Sequence, residues 1–170
     1  MSTAQLSVAV IGAGGKMGMR VSANLQKSGH TVFYSENSPA GQERVLAAGR
    51  DITTTETAVP EADVVILAVP DTLLGVISEG IVPQMKAGSI LLTLDPAAAY
   101  AGLLAKRDDV TQAVAHPCHP SVFLERYTKE EYEDTFGGAA APQNVVAAIE
   151  TDDDAQKTAA EAVIKVIYAP

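Results

Sequence analysis

One cysteine, Cys118, stands among the 170 residues, so the chain can form no internal disulfide. Its first residues lack a basic segment followed by a long apolar stretch, and no apolar run approaches the roughly 20 residues that cross a bilayer. Neither a secretory leader nor a membrane anchor is therefore expected. Basic residues are scarce, with 12 Lys and Arg against 21 Asp and Glu, for a net charge of −9. No basic patch stands out, so nucleic acid and anionic membrane are poor partners for this chain. The acidity leaves nucleotides open, because backbone amides and a helix terminus hold a phosphate without net positive charge. Internal repeats and low-complexity tracts are also missing. What remains is a cytoplasmic globular chain, 47% hydrophobic and long enough to bury one sizeable core.

The richest stretch is Val8-Ala9-Val10-Ile11-Gly12-Ala13-Gly14-Gly15-Lys16-Met17-Gly18. A bounded, β-branched run reads as a buried strand, and from Met17 the apolar residues Met17, Val21 and Leu25 recur every fourth position along one helix face. Strand, glycine turn and helix in succession place free N–H groups and a partial positive charge where the helix begins. That is a seat for the pyrophosphate of a dinucleotide. A strict G-x-G-x-x-G from Gly12 fails, since Met17 stands where the third glycine belongs. Shifted by one residue, Ala13-Gly14-Gly15-Lys16-Met17-Gly18 keeps Gly15 for close approach to pyrophosphate and Gly18 for tight helix-on-strand packing, with Gly12 making the bend. The alternative is a glycine-rich turn that binds nothing.

Helix one ends near Ser28-Gly29, and Thr31–Ser35 reads as a second strand closed by Glu36. Glu36 lies about 20 residues beyond the turn, where a carboxylate bonds the adenosine ribose hydroxyls and repels a 2′-phosphate. It argues for NAD over NADP, and no arginine follows immediately to receive a phosphate. The plain alternative is a solvated acid after a strand. Ser38-Pro39 opens a short helix through Leu46, and Ile52–Thr55 reads as a brief strand. Ala62–Pro70 is a central, continuously apolar strand whose end, Val69-Pro70-Asp71, belongs beside the glycine turn. Leu73, Leu74 and Ile77 continue as a helical face. Gly88–Leu94, a helix Ala97–Ala105, a strand Val110–Ala115, a polar stretch Glu125–Asp134, a last strand Val145–Ile149 and a final helix burying Ala159, Val163, Ile164 and Ile167 complete the order. The alternation predicts an α/β fold with a doubly wound, mostly parallel sheet.

His116-Pro117-Cys118-His119-Pro120 holds two of the three histidines, the other being His30. Two prolines stiffen a loop at a strand's C-terminal end, the edge where the cofactor is expected. Either His116 or His119 suits a base that takes a hydroxyl proton while hydride leaves for a nicotinamide. Metal ligation and a purely structural role stay open, although two histidines alone are an incomplete metal site. Cys118 beside a histidine could be a nucleophile, but a lone cysteine more often packs.

Together the Gly12–Gly18 turn, the Asp63–Pro70 strand, Gly88-Ser-Ile-Leu-Leu with Asp95, and the His-Pro-Cys-His-Pro loop resemble one family along essentially the whole chain. It is the N-terminal NAD-binding domain of D-apionate oxidoisomerase-like proteins, relatives of the 6-phosphogluconate, 3-hydroxyacid and prephenate dehydrogenases. The resemblance implies a Rossmann-type domain over residues 1–170, with cofactor contacts at Ala13, Gly15, Lys16, Met17, Gly18, Glu36, Val69 and Pro70. It implies that His116, followed by proline as in prephenate dehydrogenases, lies near the nicotinamide. It further implies a hydroxy-acid substrate, and an oxidation coupled to migration of a carbon group that would call for a divalent metal. These relatives continue past the position of Pro170 into a helical domain that builds much of the substrate pocket and a homodimer interface, so a fragment, or an isolated domain that keeps the cofactor site, is expected here. Against the enzyme stands a second class, an NAD(H)-binding sensor, which has no need of two imidazoles on one loop. A short-chain dehydrogenase is disfavoured because no Tyr-x-x-x-Lys pair is present.

Overall fold

The computed structural model describes residues 5–121, 123, 125–135, 137–141 and 143–168. Short apolar runs rich in β-branched residues supply the central strands: β1 (Ser7–Ile11), β2 (Thr31–Ser35), β3 (Val64–Leu67), β4 (Ile90–Thr93), β5 (Thr111–Pro117) and β6 (Val145–Glu150). They pair in the order β2-β1-β3-β4-β5-β6. All neighbours are parallel except β6, which runs antiparallel to β5. Side chains alternate across a strand, so β1 and β3 serve two cores at once. Val8, Val10, Val64 and Ile66 meet Val21 and Leu25 of α1 (Lys16–Leu25) and Val163, Ile164 and Ile167 of α7 (Asp154–Ile167). Ala9, Ile11, Val65 and Leu67 meet Ala58 and Val59 of α3 (Thr55–Glu61) and Leu74 and Ile81 of α4 (Leu74–Ile81). This is the doubly wound, mostly parallel α/β sheet expected from the alternation.

Local chemistry sets several element boundaries. Helix α2 (Pro39–Ala47) opens at Ser38, whose Oγ accepts the Gly41 N–H at 3.2 Å, with proline in the first helical position. Helix α7 opens at Asp153, which accepts the Ala155 N–H at 2.7 Å. Short α6 (Lys129–Glu133) is held by a reciprocal cap between Thr128 and Glu131.

Four expectations are corrected. The strand at Ile52–Thr55 is a single bridge, Tyr34 to Ile52, because Thr54 takes a helix-cap position and α3 starts at Thr55. The helix from Ala97 is only α5 (Ala97–Tyr100), since Gly102 turns the chain at φ +67° and Leu103 N–H bonds back to Ala98. On α7 it is Ala160, not Ala159, that is fully buried. The first helix ends at Leu25, where Ser28 Oγ caps the Leu25 carbonyl at 2.6 Å. Among the described residues no helix is long and apolar enough to cross a membrane.

Ser22 on α1 is fully buried, and its hydroxyl finds no hydrogen-bond partner among the described residues. A buried, unpaired hydroxyl costs free energy, and serine is a weaker helix former than alanine. Ser22→Ala is expected to raise the unfolding free energy by about 1 kcal/mol, read as a higher urea midpoint at unchanged slope.

Candidate functional site

The C-terminal ends of β1, β3, β4 and β5 converge on one edge of the sheet. Ile11 pairs with Leu67, Leu67 with Thr93, and Thr93 with Val114, so the segments leaving these residues emerge side by side. Strand order reverses between β1 and β3, which is where an open α/β sheet leaves a crevice for a ligand.

The glycine turn leaves β1 at Gly12, with φ +82°, and the N–H groups of Gly12 and Ala13 donate to the Ser35 carbonyl at 2.9 and 3.0 Å. Helix α1 then begins from Gly15 with no side-chain cap and no acid in its first turn. The glycines serve different ends. A Cβ on Gly12 would lie 2.6 Å from the Ala68 oxygen, and one on Gly18 only 2.0 Å from the Gly12 oxygen. Both are required by the fold, and Gly18 is the tight-packing glycine of the shifted fingerprint. Gly15 differs, with φ −72° and ψ 170°, a conformation open to any residue, and nearest neighbours 3.3 and 3.6 Å from a built Cβ. Folding constrains this position less than Gly12 or Gly18, a Cβ here needing only a few tenths of an ångström of give from the Gly12 oxygen; a ligand brought close to the backbone would demand glycine. Lys16 and Met17 follow it, and all three line a cleft of about 360 Å³.

On the other side of the turn, Gly12, Ser35, Glu36 and Val69 line a second hollow of about 380 Å³. Glu36 Oε2 accepts the Gly14 N–H at 3.0 Å, while Oε1 accepts the Ser38 N–H at 2.8 Å and the Ser38 hydroxyl at 2.9 Å. Partial burial works against the charge, but these donors, with the Asn37 N–H, outweigh it and hold the carboxyl below its ordinary value. Glu36 is thus a fixed carboxylate, oriented by its hydrogen bonds to Gly14 and Ser38.

The first cleft continues over Val69, Pro70, Asp71, Leu94, Asp95, His116 and His119. Here the structure amends the reading of the histidine loop. His116 and Pro117 belong to β5 itself, because β6 pairs alongside, with His116 opposite Val146 and Pro117 opposite Val145. Antiparallel pairing, rather than the prolines alone, stiffens this segment. The Nδ1 of His116 lies 3.1 Å from the Leu94 carbonyl oxygen, and a carbonyl can only accept, so Nδ1 is the donor in this bond and, in the neutral ring, Nε2 is the nitrogen with the lone pair. Oδ2 of Asp95 stands 3.7 Å from the same Nδ1, and its Oδ1 is anchored by the Ala97 N–H at 2.8 Å. Asp95 was marked in the sequence only within the stretch, Gly88-Ser-Ile-Leu-Leu with Asp95, that carries the family resemblance; its cleft position comes from β4 ending beside β5.

His119 shares the cleft but is held differently, its Nδ1 lying 3.2 Å from the Thr135 carbonyl. Thr135 follows Asp134, whose carboxylate gathers the N–H groups of Gly137, Ala139, Ala140 and Ala141 at 2.9 to 3.1 Å. Desolvation opposes the charge, and the four N–H donors overcome it, lowering the Asp134 carboxyl to about 2. Cys118 is half-buried, its N–H donating to the Asn144 carbonyl at 2.8 Å. His30 lies elsewhere, accepting the Leu6 N–H at 3.2 Å. Among the described residues no group of three or more His, Cys, Asp and Glu is arranged to hold a metal ion. The two imidazoles of the cleft therefore do not make a complete site for one.

Fold, switch-point crevice and glycine turn define a Rossmann-fold, dinucleotide-binding domain. Residues 7–100 match the family described as the NAD binding domain of 6-phosphogluconate dehydrogenase, and residues 124–170 match the C-terminal family of decarboxylating phosphogluconate dehydrogenase. The chain belongs to the first of these families, a family of oxidoreductase NAD-binding domains. It is 62% identical over 164 residues to the D-apionate oxidoisomerase of Pectobacterium atrosepticum, covering 96% of this chain and 58% of that protein. Its identity to the D-apionate oxidoisomerase of Cupriavidus necator is 46% over 164 residues, covering 96% and 59%. A crystal structure of a semialdehyde dehydrogenase NAD-binding protein from Cupriavidus necator, in complex with calcium and NAD, superposes with a TM-score of 0.90 at 45% identity, covering 98% of this chain and 61% of that one. The chain thus spans about three-fifths of the length of these relatives.

Gly15→Ala is expected to keep the fold within about 1 kcal/mol of its stability yet weaken NADH binding about tenfold or more, read by nicotinamide fluorescence. Gly18→Ala is expected to lose about 1–3 kcal/mol of stability, read by urea unfolding. Asp134, with a carboxyl lowered from 3.8 to about 2, contributes stability that is present above pH 3.8 and lost as pH falls through about 2. Asp134→Asn should therefore lower Tm at pH 5 and shrink the fall in Tm between pH 4 and pH 2.

Proposed function

We propose that this chain binds NAD across the glycine turn and provides the cofactor half of an oxidoreductase acting on a hydroxylated carboxylic acid. A sugar acid such as the apionate in the relatives' name fits that description. The observation that carries the reading is the hydrogen bond from His116 Nδ1 to the Leu94 carbonyl, in the same cleft as Gly15, Lys16 and Met17. It leaves Nε2 as the ring nitrogen able to take a proton. The first-turn amides of α1 suit the pyrophosphate, and the Glu36 carboxylate suits ribose hydroxyls while repelling a 2′-phosphate, which favours NAD over NADP. Val69 and Pro70 form the wall against which the nicotinamide ribose would rest.

Bound NAD supplies the hydride acceptor. His116 Nε2 takes the substrate hydroxyl proton as the carbinol C–H leaves as hydride, and in the reverse direction returns it. The positive charge that develops on the ring is stabilised by the Asp95 carboxylate 3.7 Å from Nδ1 and by the Leu94 carbonyl. His119, tied to Thr135, flanks the same space and is the second candidate acid/base. No step is assigned to a metal, because the donors in the cleft do not complete a site.

The test uses a chain extended to the length of its relatives, with turnover of apionate and NADH affinity measured separately. His116→Ala is expected to reduce kcat about a hundredfold or more while NADH affinity stays within about twofold. Unchanged turnover would remove His116 from the mechanism. Saturable NADH binding with no turnover of any hydroxy acid would favour the sensor instead.

A further inference from the structure

Gly14 is gripped on three sides by the segment that follows β2. Its N–H donates to Glu36 Oε2 at 3.0 Å, and its carbonyl accepts from Arg44 Nε at 2.8 Å. On the third side a Cβ on Gly14 would stand 2.4 Å from the Gly41 carbonyl oxygen, so turn and helix α2 meet backbone to backbone. Gly41 has no room for a side chain either, since its Cβ would lie 2.5 Å from Cδ of Glu36 and 2.6 Å from Oγ of Ser38. Glu36 is seated in turn by the N–H and hydroxyl of Ser38, and its own carbonyl accepts from Gln42 Nε2 at 2.8 Å. The end of β2, the first turns of α2 and the glycine turn form one interlocked unit.

The consequence lies in peptide geometry. The Gly14 N–H belongs to the peptide plane before its Cα, and the Gly14 carbonyl to the plane after it. Fixing both planes removes the freedom of a residue that has no Cβ to limit it. The plane held by Arg44 also carries the Gly15 N–H, and Lys16 and Met17 come next with the first free amides of α1. Whatever orients Gly14 therefore orients the phosphate seat.

We infer that the Glu36–Arg44 segment is a clasp that sets the phosphate seat, with Glu36 and Arg44 as positioning residues acting through Gly14. The inference rests on the dinucleotide reading above and deepens it. A carboxylate that served only the adenosine ribose would matter only to ligands carrying that ribose. Through the clasp, Glu36 matters to a bare phosphate as well. Its sign is diagnostic: deleting a negative charge beside an anion site strengthens anion binding by electrostatics alone, whereas loosening the clasp weakens it.

The experiment follows the Lys16 and Met17 amide signals by ¹H–¹⁵N NMR during titration with inorganic diphosphate, with NADH fluorescence titrations in parallel. E36A and R44M are each expected to raise the diphosphate Kd about fivefold or more. E36Q, whose amide oxygen still accepts the Gly14 N–H, and R44K, which still offers a donor, are expected to return toward the wild-type value. The Gly14 amide proton should move upfield in E36A. If E36A weakens NADH but leaves diphosphate binding unchanged or tighter, Glu36 reads the ribose alone and the clasp is overturned. It is equally overturned if wild-type Lys16 and Met17 ignore diphosphate while NADH binds. Loss of NADH binding by the wild type would instead remove the dinucleotide reading beneath it. Arg44 is exposed on α2, so the R44M and R44K pair keeps the inference open to refutation should E36A unfold.

Discussion

The parallel pairing of β1 with β3 is the constraint on which the rest of this structure depends. Val8 to Ile11 align with Val64 to Leu67, and the Ala68 N–H donates to the Ile11 carbonyl at 2.8 Å. That register brings Val69 and Pro70 against the glycine turn and leaves Gly12 no space for a side chain beside Ala68. Because both strands are buried on both faces, a slip of one residue would turn every side chain into the wrong core. The crevice at the switch point is thus held by the same burial that folds the domain.

The second support comes from the opposite edge. Strand β6 pairs antiparallel to β5 and carries the strand geometry on through His116 and Pro117, three residues past Val114, the partner of the end of β4. His116 consequently reaches over the sheet edge while its Nδ1 stays tied to Leu94. Asp95, locked by the Ala97 N–H, stands beside it, and His119 hangs from a loop that Asp134 knots with four N–H bonds. Glycine turn and imidazole are thereby presented to one cleft by elements separated by about a hundred positions in the chain.

Family membership is consistent with this arrangement. Identity of 62% to a D-apionate oxidoisomerase extends over almost all of this chain, and the cleft concentrates its titratable groups at the edge that a nicotinamide cofactor would occupy. Val69 borders both hollows that flank the glycine turn. Glu36 lines one of them and His116 the other.

Much of this was legible from residues alone. Binary patterning marked β1, β3, β4 and β5, the glycine spacing marked the turn, and Glu36 and His116 were singled out as candidates by their places at the C-terminal ends of strands. These signals are local: side-chain periodicity, glycine conformation and proline act within a few residues of themselves. Asp95 as the neighbour of His116, Thr135 as the anchor of His119, and Gly41 and Arg44 around Gly14 were not legible, because each meets its partner 16 to 30 positions away. The extension of β5 escaped for the same reason, its cause being β6 about 30 residues downstream. The sequence by itself determined the class of fold and singled out several residues that line the cleft, through patterns that each element carries within itself. Only the tertiary structure decided which nitrogen of His116 meets the Leu94 carbonyl, how Glu36 uses its lone pairs and what holds Gly14, since those depend on atoms that packing alone brings together.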